Sequence, residues 1–421
     1  MIRFRHIAPV LAMVLLLPGL VAGQTNKDNK WTRDAAKFIG LAMTRQDIAE
    51  RRSYYDQALT ALQEAFVKEP DNAKVWFVAG QVYVGKGDYI AADTSFDRAI
   101  AIDPALNEDI EAEREAGWME AFQEGVGMMD QQQHEQALKV LEASEQLYGK
   151  RPEGLLNIGS IYAGMNDLDK AEDAFLRAAQ AAEGPLVTQI DSASQAAWKR
   201  YAEMSRLNVA QMRGTRGVDA FGEDNYDVAA DWFQKAIEFN PVSRDYLFNY
   251  VQARYAKATK LEEQIEATPA DAATVTPQLI SLYAAIKEDV EKVRAFDPTS
   301  EHLMLILVRA QRRHGELSGD TVAGREAALA TLTMIEAMPV EIVELAIQPE
   351  EGTATVMGKV KNRKAAAGAP ITLTIELLGA QGQSIGQMTL TVNVGEAESM
   401  TPFQQSTEIT GQVAGWKYAV S

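Results

Sequence analysis

The chain contains no cysteine. Disulfides, thiolate nucleophiles, cysteine-ligated metals and a lipid on an N-terminal cysteine are all excluded. Histidine is scarce as well, with four in 421 residues. His302 and His314 share one predicted helix, but neither has a second ligand at three or four residues, so no zinc pair forms. Basic clusters are missing too. With 59 acidic against 41 basic residues the net charge is −18, and such a surface repels phosphate backbones, so nucleic acid is not the expected ligand. Beyond the first two dozen residues no apolar run is long enough to cross a bilayer.

The first 23 residues stand apart. Arg3 and Arg5 form a positive start, and His6 precedes an apolar stretch from Ile7 to Leu20. That stretch is shorter than a membrane span, and Val21-Ala22-Gly23 offers small residues for cleavage before Gln24. The pattern reads as a cleavable secretory signal over 1–23, with the mature protein released outside the cytoplasm.

What is abundant is a repeated small-residue signature. Ala58, Ala92, Ala137, Ala171 and Ala229 are each followed four residues later by a large apolar residue: Leu62, Phe96, Leu141, Phe175, Phe233. Seven residues on comes a small one again: Ala65, Ala99, Ser144, Ala178, Ala236. Twelve residues before four of the five stands glycine: Gly80, Gly125, Gly159, Gly217. Two intervals are 34 residues, and the others are 34 with insertions of 11 and 24. A fixed period of this length with paired amphipathic segments predicts a helix–turn–helix array. Small residues let two helices approach closely, and the large residue fills the gap to the next pair. Glu69-Pro70, Asp103-Pro104, Asn240-Pro241 and Asp297-Pro298 end helices, because proline cannot continue them.

The pattern resembles the tetratricopeptide repeat family. The repeat over 73–106 carries Trp76, Gly80, Tyr83, Gly87-Asp88-Tyr89, Ala92, Phe96, Ala99 and Pro104 at the family's positions. The other repeats are 39–72, 118–151, 152–185 and 210–243. The third departs at His134, where the family has Tyr, and at Gly149, where it has Pro. The array over 24–243 is an α-solenoid. Two degenerate helical hairpins over 244–338 extend it, with an Ala/Thr/Pro-rich loop at 268–277. The acidic insertion after the second repeat extends the next helix backwards, and Asp191 or Ser192 caps a long helix through Trp198 and Leu207.

At Pro339 the period changes to two. Ile371, Leu373, Ile375 and Leu377 alternate with polar residues, as do Met388, Leu390, Val392 and Val394, with Gly382 in the turn between. Val356 to Val360 precedes and Val413 to Val420 follows. This predicts a small all-β, immunoglobulin-like sandwich over 342–421. The segment resembles FxLYD, the prokaryotic domain named for its Phe-x-Leu-Tyr-Asp motif, through Gly358, Val360, Asn362 and Phe403. Of the motif itself only Leu377 is kept.

Reactive constellations are absent. Gly149-Lys150 is followed by Arg151, so it is no phosphate loop. Gly125-Val126-Gly127 and Gly159-Ser160 are repeat glycines inside helices, and the acidic turn Gly222 to Asp227 lacks the spacing and terminal Glu of a calcium loop. No catalytic residue, cofactor or metal site is expected. The resemblance implies a concave face lined by the first helix of each repeat. The inward positions are Phe77, Gln81 and Val84, then Phe122, Val126 and Met129, then Leu156, Ser160 and Ala163. They carry no Lys or Arg, so the basic clamp that some relatives use for a C-terminal carboxylate is missing. The expectation is a non-enzymatic periplasmic or secreted protein that binds an apolar or extended partner segment on an exposed ladder of Phe77, Phe122 and Leu156. The competing reading of this face is that the inserted helices or a second copy of the chain cover it, and the alternative for the whole protein is a structural subunit of an envelope assembly whose repeats self-associate.

Overall fold

The structure, a computed structural model, describes residues 26–421; the signal segment read at 1–23 lies outside them. Among the described residues there are fourteen α-helices and six β-strands. The chain divides into two compact units, Met1–Ala202 and Glu203–Ser421. Helix α9 (Ser192–Gly222) runs across the division.

The first unit is built from α1 (Lys30–Met43), α2 (Ile48–Lys68), α3 (Ala73–Lys86), α4 (Tyr89–Ile102), α5 (Asn107–Asp130), α6 (His134–Leu147), α7 (Pro152–Gly164) and α8 (Leu168–Ala182). The signature residues sit where the period puts them. Ala58, Ala92, Ala137 and Ala171 are fully buried. A Cβ added to Gly80, Gly125 or Gly159 would lie 2.3, 2.7 or 2.7 Å from Phe96, Leu141 or Phe175 respectively. The same glycine therefore admits the same large side chain in each repeat, which is why both residue types are required. The corners also repeat: Gly87, Gln132 and Asn166 take the same left-handed position, with φ of 76°, 62° and 60°. The acidic insertion does extend the following helix backwards, since α5 begins at Asn107. Asp191 caps α9 by accepting from the backbone of Ala193 and Ser194.

The second unit continues with α10 (Tyr226–Phe239), α11 (Arg244–Ala267), α12 (Ala272–Arg294), α13 (Glu301–Ser318) and α14 (Thr321–Ala337). Gly217 meets Phe233 as in the earlier repeats, at 2.7 Å from an added Cβ. The loop expected over 268–277 is shorter than its composition suggested, because α12 starts at Ala272 and carries Pro277 inside it. Val275 and Leu279 flank the proline and are buried, so packing holds this turn despite the missing donor. The backbones of α13 and α14 touch at Gly315 and Gly324, where a Cβ on Gly315 would lie 2.8 Å from the Gly324 Cα.

The β-region has two three-stranded antiparallel sheets. One pairs β1 (Val340–Glu350), β2 (Thr353–Asn362) and β5 (Met400–Glu408) in the order β1-β2-β5. The other pairs β3 (Pro370–Leu378), β4 (Ser384–Asn393) and β6 (Gly415–Val420) in the order β4-β3-β6. The core lies between them, with Val356, Val360, Leu373, Ile375 and Leu377 fully buried. Gly382 turns the β3–β4 hairpin at φ 80°. Gly358 faces Phe403, whose ring would lie 2.8 Å from an added Cβ. Asn362 is fully buried and its amide donates to the carbonyls of Ala365 and Gly395.

This sandwich is bonded to the helices of its own unit. The Tyr418 hydroxyl donates to Asp297 Oδ1 at 2.5 Å and lies 2.7 Å from Thr299 Oγ1. Arg244 holds the other Asp297 oxygen at 3.0 and 2.6 Å. Asn240 donates to the Ala414 carbonyl at 2.8 Å, and the Tyr418 amide donates to the Phe296 carbonyl. Arg363 pairs with Glu301. The outer edge of β6 is thereby engaged by helix ends.

Candidate partner-binding face

The first helices of repeats two, three and four are α3, α5 and α7, and the expected inward residues fall on them as follows. Phe77, Phe122 and Leu156 are 7%, 3% and 1% exposed, so the solvent-facing ladder expected of them is not a surface. The Phe77 ring lies 6.3 Å from that of Phe96, with the Lys74 ammonium 4.7 Å above it. Phe122 stacks on Trp118 one turn earlier, at 5.1 Å. Leu156 belongs to a helix buried without a break from Pro152 to Gly159. Met129 is buried too. Gln81, Val84, Val126 and Ala163 are half-buried, and Ser160 is exposed, its hydroxyl donating to the Leu156 carbonyl at 2.9 Å.

The physical reason for the burial is that neighbouring elements reach further than the repeat pattern alone implies. The backward extension of α5 places Glu113 against α3, where Gln81 Nε2 donates to it at 2.7 Å. Gly117 of the same helix lies beside Val84, whose methyls would be 3.1 Å from an added Cβ. Burial raises the Glu113 carboxyl above its ordinary range, opposed by the Gln81 bond and by Lys74. The strip over repeat two is thus occupied by the chain's own insertion. Around Phe122 on α5, Glu120, Gln123 and Glu124 are open to solvent, beside half-buried Val126 and Met128.

A second cluster was not visible in the sequence. The Arg151 guanidinium lies between two indoles, 5.1 Å from Trp118 and 5.6 Å from Trp198. It donates to Glu115 at 2.8 Å and to Glu153 at 3.4 Å. Trp118 Nε1 donates to Glu145 at 2.8 Å, and Trp198 Nε1 donates to Glu153 at 3.0 Å. Burial pushes the Glu145 carboxyl up to about 8, opposed by the Trp118 bond and Arg177 and assisted by Glu153. Six residues, five of them on α5, α6, α7 and α9 and Arg151 just before α7, join these four helices. The only advance signal was the presence of two tryptophans, Trp118 within α5 and Trp198 in the first turns of α9. A cleft of about 500 Å³ opens beside this cluster, lined by Glu142, Tyr162, Lys170, Asp173 and Arg177 among others. Several of its polar groups are already partnered: Tyr162 with Glu142, Arg177 with Asp173, and Lys170 with Asp167 outside the lining.

Chemically, this face can bury side chains and exchange hydrogen bonds. Among the described residues no group of three or more His, Asp or Glu is placed to hold a metal ion. No described helix is long and apolar enough to cross a membrane.

The tetratricopeptide repeat family matches residues 47–107 and 123–185. The chain carries tetratricopeptide repeats, and its helices form an array of that kind followed by a small two-sheet β-region. No curated protein matches it. Among solved structures it is similar to MamA from Desulfovibrio magneticus RS-1, at 19% identity over 49% of this chain and 94% of that one, with a TM-score of 0.19. It is similar to pilF of Pseudomonas aeruginosa, at 16% identity over 61% and 95%, with a TM-score of 0.19. It is also similar to YrrB, described as a TPR protein with an unusual peptide-binding site, at 12% identity over 55% and 95%, with a TM-score of 0.22. Superpositions this loose carry no site across. Repeats of this family mediate protein–protein interactions, and a scaffold of this kind is typically non-catalytic.

Proposed function

We propose that this protein is an exported, non-enzymatic adaptor of the cell envelope that holds an extended partner segment on the inner face of its first unit. The apolar stretch from Ile7 to Leu20, with small residues before Gln24, supports export and cleavage. The observation that carries the binding reading is the run of inner-face positions left open on α5 and α7. Val126 and Ser160 occupy the same repeat position on successive first helices, and both are accessible. Phe77, Phe122, Met129 and Leu156 act beneath them by fixing the spacing of the helices. Gln81 and Val84 lie under the α5 extension, so the partner segment runs over repeats three and four.

A photo-crosslinking side chain at Val126 or Ser160, in protein expressed in its native envelope, tests the reading. Both positions should trap one common protein, and a Val126→Arg, Ser160→Arg double variant should lose it while keeping its helix content. Trapping at an α8 surface position such as Lys170 instead would move binding to the opposite face. Recovery of Met1 on the native protein would remove the export claim.

A further inference from the structure

The last helix of the second unit carries an exposed apolar stripe besides its buried one. Its inner side is committed to α13 through Gly324, Ala328, Thr331 and Ile335, all buried. A second stripe along the helix exposes Val322, Leu329 and Leu332 at 70%, 65% and 37%. In a helical array the terminal helix has no next repeat to cover it, and arrays that stay solitary end in a polar cap. This array ends in the reverse.

The charges on that face are arranged for a copy of itself. At 100° per residue, Arg325 and Glu336 lie roughly 40° and roughly 20° to one flank of Leu329, while Thr333 and Glu326 lie roughly 40° and roughly 60° to the other. A two-fold axis through Leu329, perpendicular to the helix, brings like flanks together and reverses the direction. Arg325 sits about 6 Å before Leu329 along the helix and Glu336 about 10 Å after it. Reversal therefore sets the Arg325 of each copy within side-chain reach of the other's Glu336. Glu326 falls opposite Thr333, Leu329 meets Leu329, and the two helix dipoles oppose one another. Among the described residues neither the Arg325 nor the Glu336 side chain is engaged within its own chain.

We propose that α14 is a homodimerisation surface, on which a second copy of this chain docks its own α14 antiparallel about Leu329. This surface lies in the second unit and does not depend on the binding face of the first. A single helix about 25 Å long offers less than the roughly 800 Å² per partner of a standard interface. The dimer is therefore weak and dependent on concentration.

Sedimentation of the full mature chain from about 1 to about 200 µM tests this, with an expected monomer–dimer transition inside that range. Leu329→Lys should weaken association at least about tenfold with unchanged circular dichroism, since it sets a charge on the two-fold. Arg325→Glu should also weaken it, and adding Glu336→Arg should restore it. A chain that stays monomeric throughout overturns the proposal, as does a dimer indifferent to Leu329→Lys. Failure of the double charge exchange to rescue a folded variant overturns the antiparallel pairing.

Discussion

At the scale of single residues, the corners between paired helices show how one backbone requirement is met by different side chains. Gly87, Gln132, Asn166 and Asp224 all adopt positive φ at the same point of their repeats. Glycine does so freely, and Asn and Asp tolerate it, but Gln132 is strained there. Gln132→Gly should raise stability by about 1 kcal/mol, and Gly87→Ala should lower it by a similar amount, both read by chemical denaturation. The glycine corner could be read from the sequence, and so could the acidic turn around Asp224. Nothing in a Gln-Gln-Gln run marked its middle residue as left-handed. Glu145 is a second residue whose position matters more than its type. Its carboxyl titrates near 8 when folded, far above an unfolded glutamate. A raised carboxyl is neutral in both states below the unfolded value. As pH rises above it the unfolded chain ionises first, so stability falls until the folded group titrates as well. Glu145→Gln should therefore gain on the native protein steadily between about pH 5 and pH 8, with no further gain above. Melting temperatures of both proteins across that range check the sign; a constant difference would mean that Glu145 is ionised in the fold.

At the scale of elements, helix contacts rest on the glycine–aromatic pairs. Gly159→Ala would drive a methyl into the Phe175 ring and should cost about 1–3 kcal/mol, and Ala92→Leu, where the small residue is fully buried, should cost a similar amount. Thermal melts of both against an exposed substitution such as Gln123→Ala would show it. These helices were legible because burial repeats with a period that residue size records. The strands were legible in proportion to how many inward residues they contribute. β3 buries Ile371, Leu373, Ile375 and Leu377, and its alternation is plain. β5 buries only Phe403, so the segment from Met400 to Glu408 reads as polar loop until its partner strand is known. β1 carries a register shift between Val343 and Ala346, which breaks the alternation that would announce a strand.

At the scale of whole units, residues far apart in sequence decide what is surface. The repeat pattern placed Phe77, Phe122 and Leu156 on inward faces and left open whether inserted helices cover that face; it did not show that Phe77 lies near Phe96, that Phe122 stacks on Trp118, or that α7 is buried from Pro152 to Gly159. The β-region is likewise more tightly held than a separate module read from a change of period. Tyr418 joins Asp297, Thr299 and Arg244 in one buried network. Tyr418→Phe should remove about 1–3 kcal/mol by leaving Asp297 short of a donor. In the unit from Glu203 to Ser421, that loss should appear in strand and helix signals together, as one cooperative transition. Separate transitions would mean that the network is peripheral to the fold.

The contact between Glu113 and Gln81 has a further consequence for any ligand of this array. Both groups belong to one chain, so their meeting carries no cost of bringing two molecules together. An incoming peptide bears that cost in full. The insertion thus acts as a resident competitor over the second repeat. A peptide laid over the second repeat would have to displace this contact before pairing with Gln81. Selectivity would then arise from the chain's own occupancy of its groove, with no lock built for a particular guest.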